Sequence, residues 1–475
     1  MFQDLPMKNL PPSIGAAALA LMVGLALGCD GSLRGSGNPG AGGLAGTAGG
    51  QTGGSIGGAA GGTGGSRGAG GSAGQAGMLD GAGGDVAGTR GDAAAGGLIA
   101  DGSSASPADA APMSAIPAAG LGPWTGKDNV PASVVPPGNF SPERVPLFVS
   151  LGFDDNPESR GVTWATSVFS ALRNPAGRGK VATYDGTTTR ATFYHSSIYA
   201  PAAASWRAAY LAGFETGDHT VNHFHGAAAD AGKNFDVAGW TGEIQGCIDF
   251  LTGAAVGMRR AEIYGFRTPF LQYNANVFPA VKALDFWYDC SIQEGFEADQ
   301  DGTNFFWPHT LDNGSPGHAA NARLVPIATF PAGLWEMPAY RVIVPPDAEA
   351  ARYGVPTGLR TKLTRLHPDS FTEASGQIVG LDFNLWYDFT LTKAEFLATL
   401  KYTFDQRRRG NRAPFLFGMH SAIYTDQTPA GPIASLSERQ QAIDEFLRYA
   451  LTFPEVRVVT TKAALDWIRN PVPLD

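Results

Sequence analysis

Several short stretches of this sequence hold side chains able to do hydrolytic chemistry. Asp154 and Asp155 stand side by side after an apolar run at 145–153. Adjacent carboxylates at a strand end point in different directions, so one can bind a metal while the other acts as a base. His219 and His223 lie four apart in Gly217-Asp218-His219-Thr220-Val221-Asn222-His223. In one helical turn both imidazoles would share a face, within reach of a single ion, and imidazole suits zinc. His225 is too near in sequence to share that face and is not counted as a ligand. Arg267, in Gly265-Phe266-Arg267-Thr268-Pro269-Phe270, could fork a carboxylate beside a Pro-fixed turn. Asp289 and His420 each end an apolar run. Each group alone has an ordinary explanation: Asp-Asp pairs are common in loops, and a lone strand-end His is more often structural.

These residues need a scaffold that brings distant segments together. Apolar and β-branched runs predict buried strands at 145–153, 190–195, 263–267, 285–292, 334–344, 414–420 and 456–460. Helical periodicity falls between several of them, at 205–214, 238–252, 276–284, 392–408 and 437–451. Alternating strands and helices imply parallel strands with helices outside. Roughly seven such strands could close into a barrel, whose chemistry would sit at the C-terminal strand ends. The residues of interest fall there.

Order and spacing together are more specific than any single motif. Gly152-Phe153-Asp154-Asp155, His219-Thr220-Val221-Asn222-His223, Arg267-Thr268-Pro269-Phe270, Asp289 and His420 follow in sequence. In this order they resemble the motifs of the polysaccharide deacetylases, the NodB-homology family or carbohydrate esterase family four. Further stretches are similar to its chitin deacetylase-like branch: Phe306-Trp307-Pro308-His309-Thr310-Leu311-Asp312, Leu334-Trp335-Glu336-Met337-Pro338, and Arg412-Ala413-Pro414 before the last His. The resemblance covers about 145–470. It implies a distorted (β/α)7-type barrel and a metal-dependent hydrolase that removes N-acetyl groups from an amino-sugar polymer, chitin-like or peptidoglycan. Asp155, His219 and His223 match the metal ligands, leaving an open position as a catalytic zinc site requires. Asp154 matches the general base, Arg267 the residue that holds it, and His420 the general acid. Asp289 matches the carboxylate that orients and charges His420, and the Phe270 N–H the oxyanion donor. The implied cofactor is a divalent metal, zinc first, with cobalt or nickel admitted by the same donors. Trp335, Tyr340 and Trp386 are candidates for stacking on sugar faces, although ordinary core or loop packing is the better explanation for each. Gly152 replaces a usual Thr or Ser, which could loosen the first loop, and Ile423 stands where a tryptophan is often found. An O-acetyl esterase and a non-catalytic carbohydrate-binding protein on the same barrel are the alternatives.

The remainder of the 475 residues reads differently. Residues 1–29 resemble a lipoprotein-type export signal: Lys8, an apolar run, then Ala26-Leu27-Gly28-Cys29. The run is shorter than the roughly 20 residues of a comfortable bilayer span. A lipid on Cys29 would be the one membrane contact of an exported bacterial protein, with plain secretion as the alternative. Residues 30–125 are a Gly/Ala-rich linker unable to offset its ordering entropy. As a flexible tether of roughly 90 residues it would reach on the order of 50 Å. The catalytic domain is then 140–475, expected to act as a monomer. Net charge is −9 with no basic stripe, which argues against nucleic acid as a partner. The 3 cysteines form no CxxC pair, so a zinc knuckle is excluded. Cys247 lies on an apolar stripe with Ile244, Ile248 and Leu251, so two buried thiols are expected of Cys247 and Cys290, with a disulfide as the alternative.

Overall fold

The computed structural model describes residues 121–228, 233–297, 299–320, 329–426 and 431–475. The export signal at 1–29 with Cys29, and the linker up to residue 120, lie outside the described residues. Among those described, no helix is long and apolar enough to cross a membrane.

The main sheet grows around β1 (Leu147–Asp154), all eight residues of which are buried. A strand covered on both faces belongs in the middle of a parallel sheet. On one side follow β2 (Thr192–His195), β3 (Glu215–Asp218), β4 (Ile263–Phe266) and β5 (Tyr288–Asp289). The short strand β6 (Gln293–Glu294) lies off this path. Beyond β5, β8 (Trp335–Glu336) continues the parallel run, and β7 (His309–Thr310) closes it antiparallel. β9 (Ala339–Tyr340) pairs in parallel with β6. On the other side β10 (Phe415–His420) pairs along β1 from Val149↔Phe415 to Asp154↔His420. β11 (Val456–Val458) pairs with the first residues of β1. The expected distorted barrel is therefore present as a curled parallel sheet, and no ladder among the described strands joins β7 to β10.

Helices cover the sheet between strands: α1 (Ser159–Ser170), α2 (Ala203–Leu211), α3 (Val237–Thr252), α4 (Val277–Ala283), α5 (Lys393–Arg409), α6 (Leu436–Ala450) and α7 (Thr461–Arg469). The starts of α5 and α6 are fixed by reciprocal capping boxes, Thr392 with Glu395 and Ser435 with Glu438. One apolar cluster joins β1, β2 and β10 to α1, α3 and α6 through Phe153, Phe193, Phe417, Phe169, Ile244 and Phe446. A second includes Phe148, Tyr194, Tyr288, Trp335, Leu416 and Trp467. Cys247 and Cys290 are both free and buried, so the two-thiol reading holds.

The sequence pattern missed β3. Its residues, Glu215-Thr216-Gly217-Asp218, look like a loop, yet all four are buried. Glu215 accepts hydrogen bonds from Thr192 Oγ1 (2.9 Å), Tyr288 OH (2.6 Å) and Lys462 N–H (2.8 Å). A polar strand can be buried once its groups are paired by neighbours distant in sequence.

Candidate active site

The sheet puts its chemistry at one end. Asp154 is the last residue of β1, His420 the last of β10, and these two Cα atoms are register partners. His219 follows β3 and Arg267 follows β4. C-terminal ends of neighbouring parallel strands are where such folds assemble sites from distant segments.

The first turn explains how adjacent aspartates do different things. Asp155 and Asn156 both take left-handed φ, 64° and 56°, a conformation uncommon outside glycine. Buried Asn156 holds the turn by donating to Phe153 O (2.9 Å) and Tyr194 O (3.0 Å). Asp154 lies against Arg267, whose Nη1 is 2.7 Å from Asp154 Oδ1. Arg267 itself is buried, donates from Nε to Cys290 O (3.2 Å) and stacks over Tyr194 at 4.4 Å. Asp155 turns the other way. Its Oδ1 is 3.4 Å from His219 Nε2 and 2.9 Å from His223 Nε2.

Those three residues form a cluster whose ligand atoms lie within 4.8 Å of one another. His219 Nδ1 is 2.8 Å from Arg267 O. With its hydrogen on Nδ1 donating there, the ring presents the Nε2 lone pair, the arrangement that orients metal-ligating histidines. Asp155 Oδ1 has no hydrogen-bond partner. Two imidazoles and a carboxylate oxygen converging in this way fit a zinc-class ion. Burial pushes the Asp155 carboxyl up, but the facing imidazoles of His223 and His219 outweigh it and hold it well below the usual range. The two histidines are not on a helical turn, as their spacing predicts. They sit in a loop in which Thr220 (φ 71°) and His223 (φ 52°) are left-handed, held by Thr220 N–H to Asp218 Oδ1 at 2.9 Å. The backbone kinks, not a helix face, bring the rings together.

His420 stands on the other wall. Its Nδ1 is 2.8 Å from Asp382 Oδ1, and its backbone N–H donates to Asp382 Oδ2 at 3.0 Å. Burial works to lower the imidazole, yet Asp382, aided by Asp155 and Asp154, raises it to about 9. His420 is therefore protonated at neutral pH and able to give a proton. The side chains of Asp155, His223 and His420 remain 20%, 16% and 19% exposed, whereas Asp154, Arg267 and Asp382 are at most 6% exposed. Asp155, His223 and His420 are thus partly open to solvent, while Arg267 and Asp382, which hold Asp154 and His420, are closed off.

No family model matches the chain. A curated relative, chitin deacetylase 8 of Bombyx mori, is 27% identical over 348 residues, 71% of this chain and 74% of that protein. The chain is thus similar in sequence to a polysaccharide deacetylase. Three solved structures are also similar. A Mycobacterium smegmatis protein provisionally described as a polysaccharide deacetylase is 15% identical, with 73% of this chain and 98% of that one covered and a TM-score of 0.39. A family 4 carbohydrate esterase from Streptomyces lividans, in complex with acetate, is 20% identical over 30% of this chain and 61% of that chain, less than two thirds of it, at TM-score 0.23. A CE4 family pseudoenzyme from Bacillus anthracis is 11% identical over 42% of this chain and 59% of its own, at TM-score 0.24.

The partner of His420 is not Asp289, as the resemblance implies, but Asp382. Asp289 ends β5, and its carboxylate is taken up by the N–H and Oγ–H of Ser291, both at 2.8 Å. Burial raises Asp289 to about 6. No sequence signal marks Asp382, which lies 38 residues before His420. Trp335 is not at the site either. It is fully buried on β8, between β5 and β7, and its indole N–H donates to Asp128 Oδ2 at 2.7 Å. Tyr340 and Trp386 are likewise core residues. The aromatic surface near His420 is Phe383, 6.2 Å away between ring centroids and stacked on Tyr387 at 4.6 Å, both partly exposed. Phe270 takes a left-handed φ of 59° in a turn closed by Leu271 N–H to Thr268 O and Gln272 N–H to Pro269 O, neither of which uses the Phe270 N–H. Its ring stacks on His225 at 3.6 Å, which places His225 beside the site and not in the donor cluster. Gly152 does not loosen the first loop. A Cβ there would meet Tyr194 Cε2 at 2.9 Å and Arg267 Nη1 at 3.3 Å, so glycine makes room for the residues that hold Asp154.

Proposed function

We propose that this protein is a metal-dependent hydrolase that removes N-acetyl groups from an amino-sugar polymer. The observation that carries the reading is the convergence at one sheet end of three unlike units: the Asp155/His219/His223 donors, the Asp154–Arg267 pair and the Asp382–His420 pair. An ion of the zinc class held by the first unit supplies Lewis-acid polarisation of a carbonyl and of water. Asp154, kept in place by Arg267, takes the proton of the attacking water. The Phe270 N–H donates to the oxyanion of the tetrahedral intermediate. His420, kept protonated by Asp382, gives its proton to the departing amine nitrogen. An amide needs that acid, because an unprotonated amine leaves poorly. Phe383 and Tyr387 offer a partly exposed aromatic face for a sugar ring.

The test is acetate release from N-acetylglucosamine oligomers by the full chain, with zinc and with chelator. Release that stops with chelator and fails in Asp154→Asn supports the reading. Absence of release from these oligomers and from peptidoglycan, with zinc bound, sinks it.

A further inference from the structure

A second group of metal-type donors lies away from this site and plays no part in it. Glu294 on β6, His309 on β7 and His318 in the short helix Pro316–Ala320 offer ligand atoms that all lie within 4.8 Å of one another. We propose that Glu294, His309 and His318 form a second, structural metal site for a zinc-class divalent cation.

The case rests on what these side chains lack and on how they are held. Glu294 and His309 are fully buried and His318 is 5% exposed. Yet Glu294 Oε2, His309 Nε2 and both ring nitrogens of His318 have no hydrogen-bond partner. Buried polar atoms are nearly always paired, so an unpaired group this dense needs an explanation. The remaining atoms are anchored as metal ligands are. His309 Nδ1 lies 3.2 Å from Trp307 O, and a hydrogen donated there leaves the Nε2 lone pair for an ion. The same carbonyl arrangement orients His219 in the first cluster. Glu294 Oε1 accepts from Ser315 Oγ, which frees Oε2, and Ser315 Oγ also accepts the His318 N–H at 3.0 Å. Gly317 keeps the space beside the free oxygen open, since a Cβ there would stand 2.8 Å from Glu294 Oε2.

The donor set selects the ion. Two imidazoles and one carboxylate suit zinc better than calcium or magnesium, which prefer all-oxygen shells. The site gathers β6, β7 and the Pro316–Ala320 helix and is closed to solvent, so its role is to fasten these segments.

Metal content of the full chain decides the matter independently of the catalytic reading. After removal of loosely bound metal, two zinc ions per chain are expected, falling to one in His318→Leu and to one in His223→Gln. Unchanged zinc in His318→Leu and in Glu294→Gln overturns the second site. A single wild-type ion lost by His223→Gln also overturns it. A single ion that survives His223→Gln but is lost by His318→Leu leaves the second site standing and removes the first. Should these variants fail to fold, anomalous diffraction at the zinc edge from wild-type crystals locates the ions. A peak among Glu294, His309 and His318 supports the site, and ordered water in that position overturns it.

Discussion

The molecule holds two clusters of nearly the same composition, one carboxylate and two imidazoles each, and they differ in what surrounds them. Asp155, His219 and His223 sit at the ends of parallel strands, with Asp155 and His223 a fifth or less exposed and the Asp154–Arg267 and Asp382–His420 pairs beside them. Glu294, His309 and His318 gather at the β7 edge of the sheet, buried, with Glu294 Oε2, His309 Nε2 and both His318 ring nitrogens unpaired. A metal with an open position and flanking proton carriers can do chemistry, whereas a closed one contributes only folding energy. Composition of the donor set therefore does not separate a catalytic site from a structural one. Access and neighbours do.

That contrast can be broken in graded ways. The largest effect is expected from the first cluster itself: Asp155→Asn should abolish acetate release, and added zinc should not restore it. Asp154→Asn should retain bound zinc and lose about 10²–10⁴-fold in kcat, which metal analysis beside kinetics checks. Turnover within tenfold of wild type would show that Asp154 is not the base.

Next comes the acid side. The imidazole of His420 is raised from its ordinary 6.5 to about 9. The activity it supports is present below that value and lost as pH rises through it. The same shift contributes stability fully present below about 6.5 and lost progressively up to about 9. Asp382→Asn should move the alkaline limb of the rate profile to lower pH, with a drop in kcat of roughly tenfold or more. An unmoved limb would separate Asp382 from the proton transfer. Asp289→Asn should leave that limb in place, because Asp289 is bonded to Ser291.

Smaller effects are expected at the second cluster and the rim. Glu294→Gln should lower the melting temperature by a few °C in zinc and by less in chelator, as calorimetry would record. Equal shifts in both would mean that the loss is not metal-linked. Phe383→Ala should raise KM for oligomers several-fold with kcat little changed, while an unchanged KM would remove it from the sugar path.

Much of this was legible in one dimension. Buried strands such as Leu147–Asp154 and Phe415–His420 announce themselves as apolar runs, because a doubly covered strand must be apolar. Helices α3, α5 and α6 show their periodicity, and the residues at the strand ends carry the motifs. The amino-acid sequence alone thus determined the parallel α/β architecture and the positions of Asp154, Asp155, His219, His223, Arg267 and His420.

Only the tertiary structure decided the pairings. Glu215-Thr216-Gly217-Asp218 became a strand because Thr192, Tyr288 and Lys462 satisfy its glutamate. Asp382, with no motif to mark it, displaced Asp289 as the partner of His420. Trp335 was withdrawn from the sugar path because its strand lies inside the sheet, covered on both sides. The second donor cluster joins positions 15 and 9 residues apart (294, 309 and 318), a spacing with no local meaning. The physical reason is common to all four: periodicity reports the burial of one element, whereas hydrogen bonds and ligand clusters depend on which elements fold against each other.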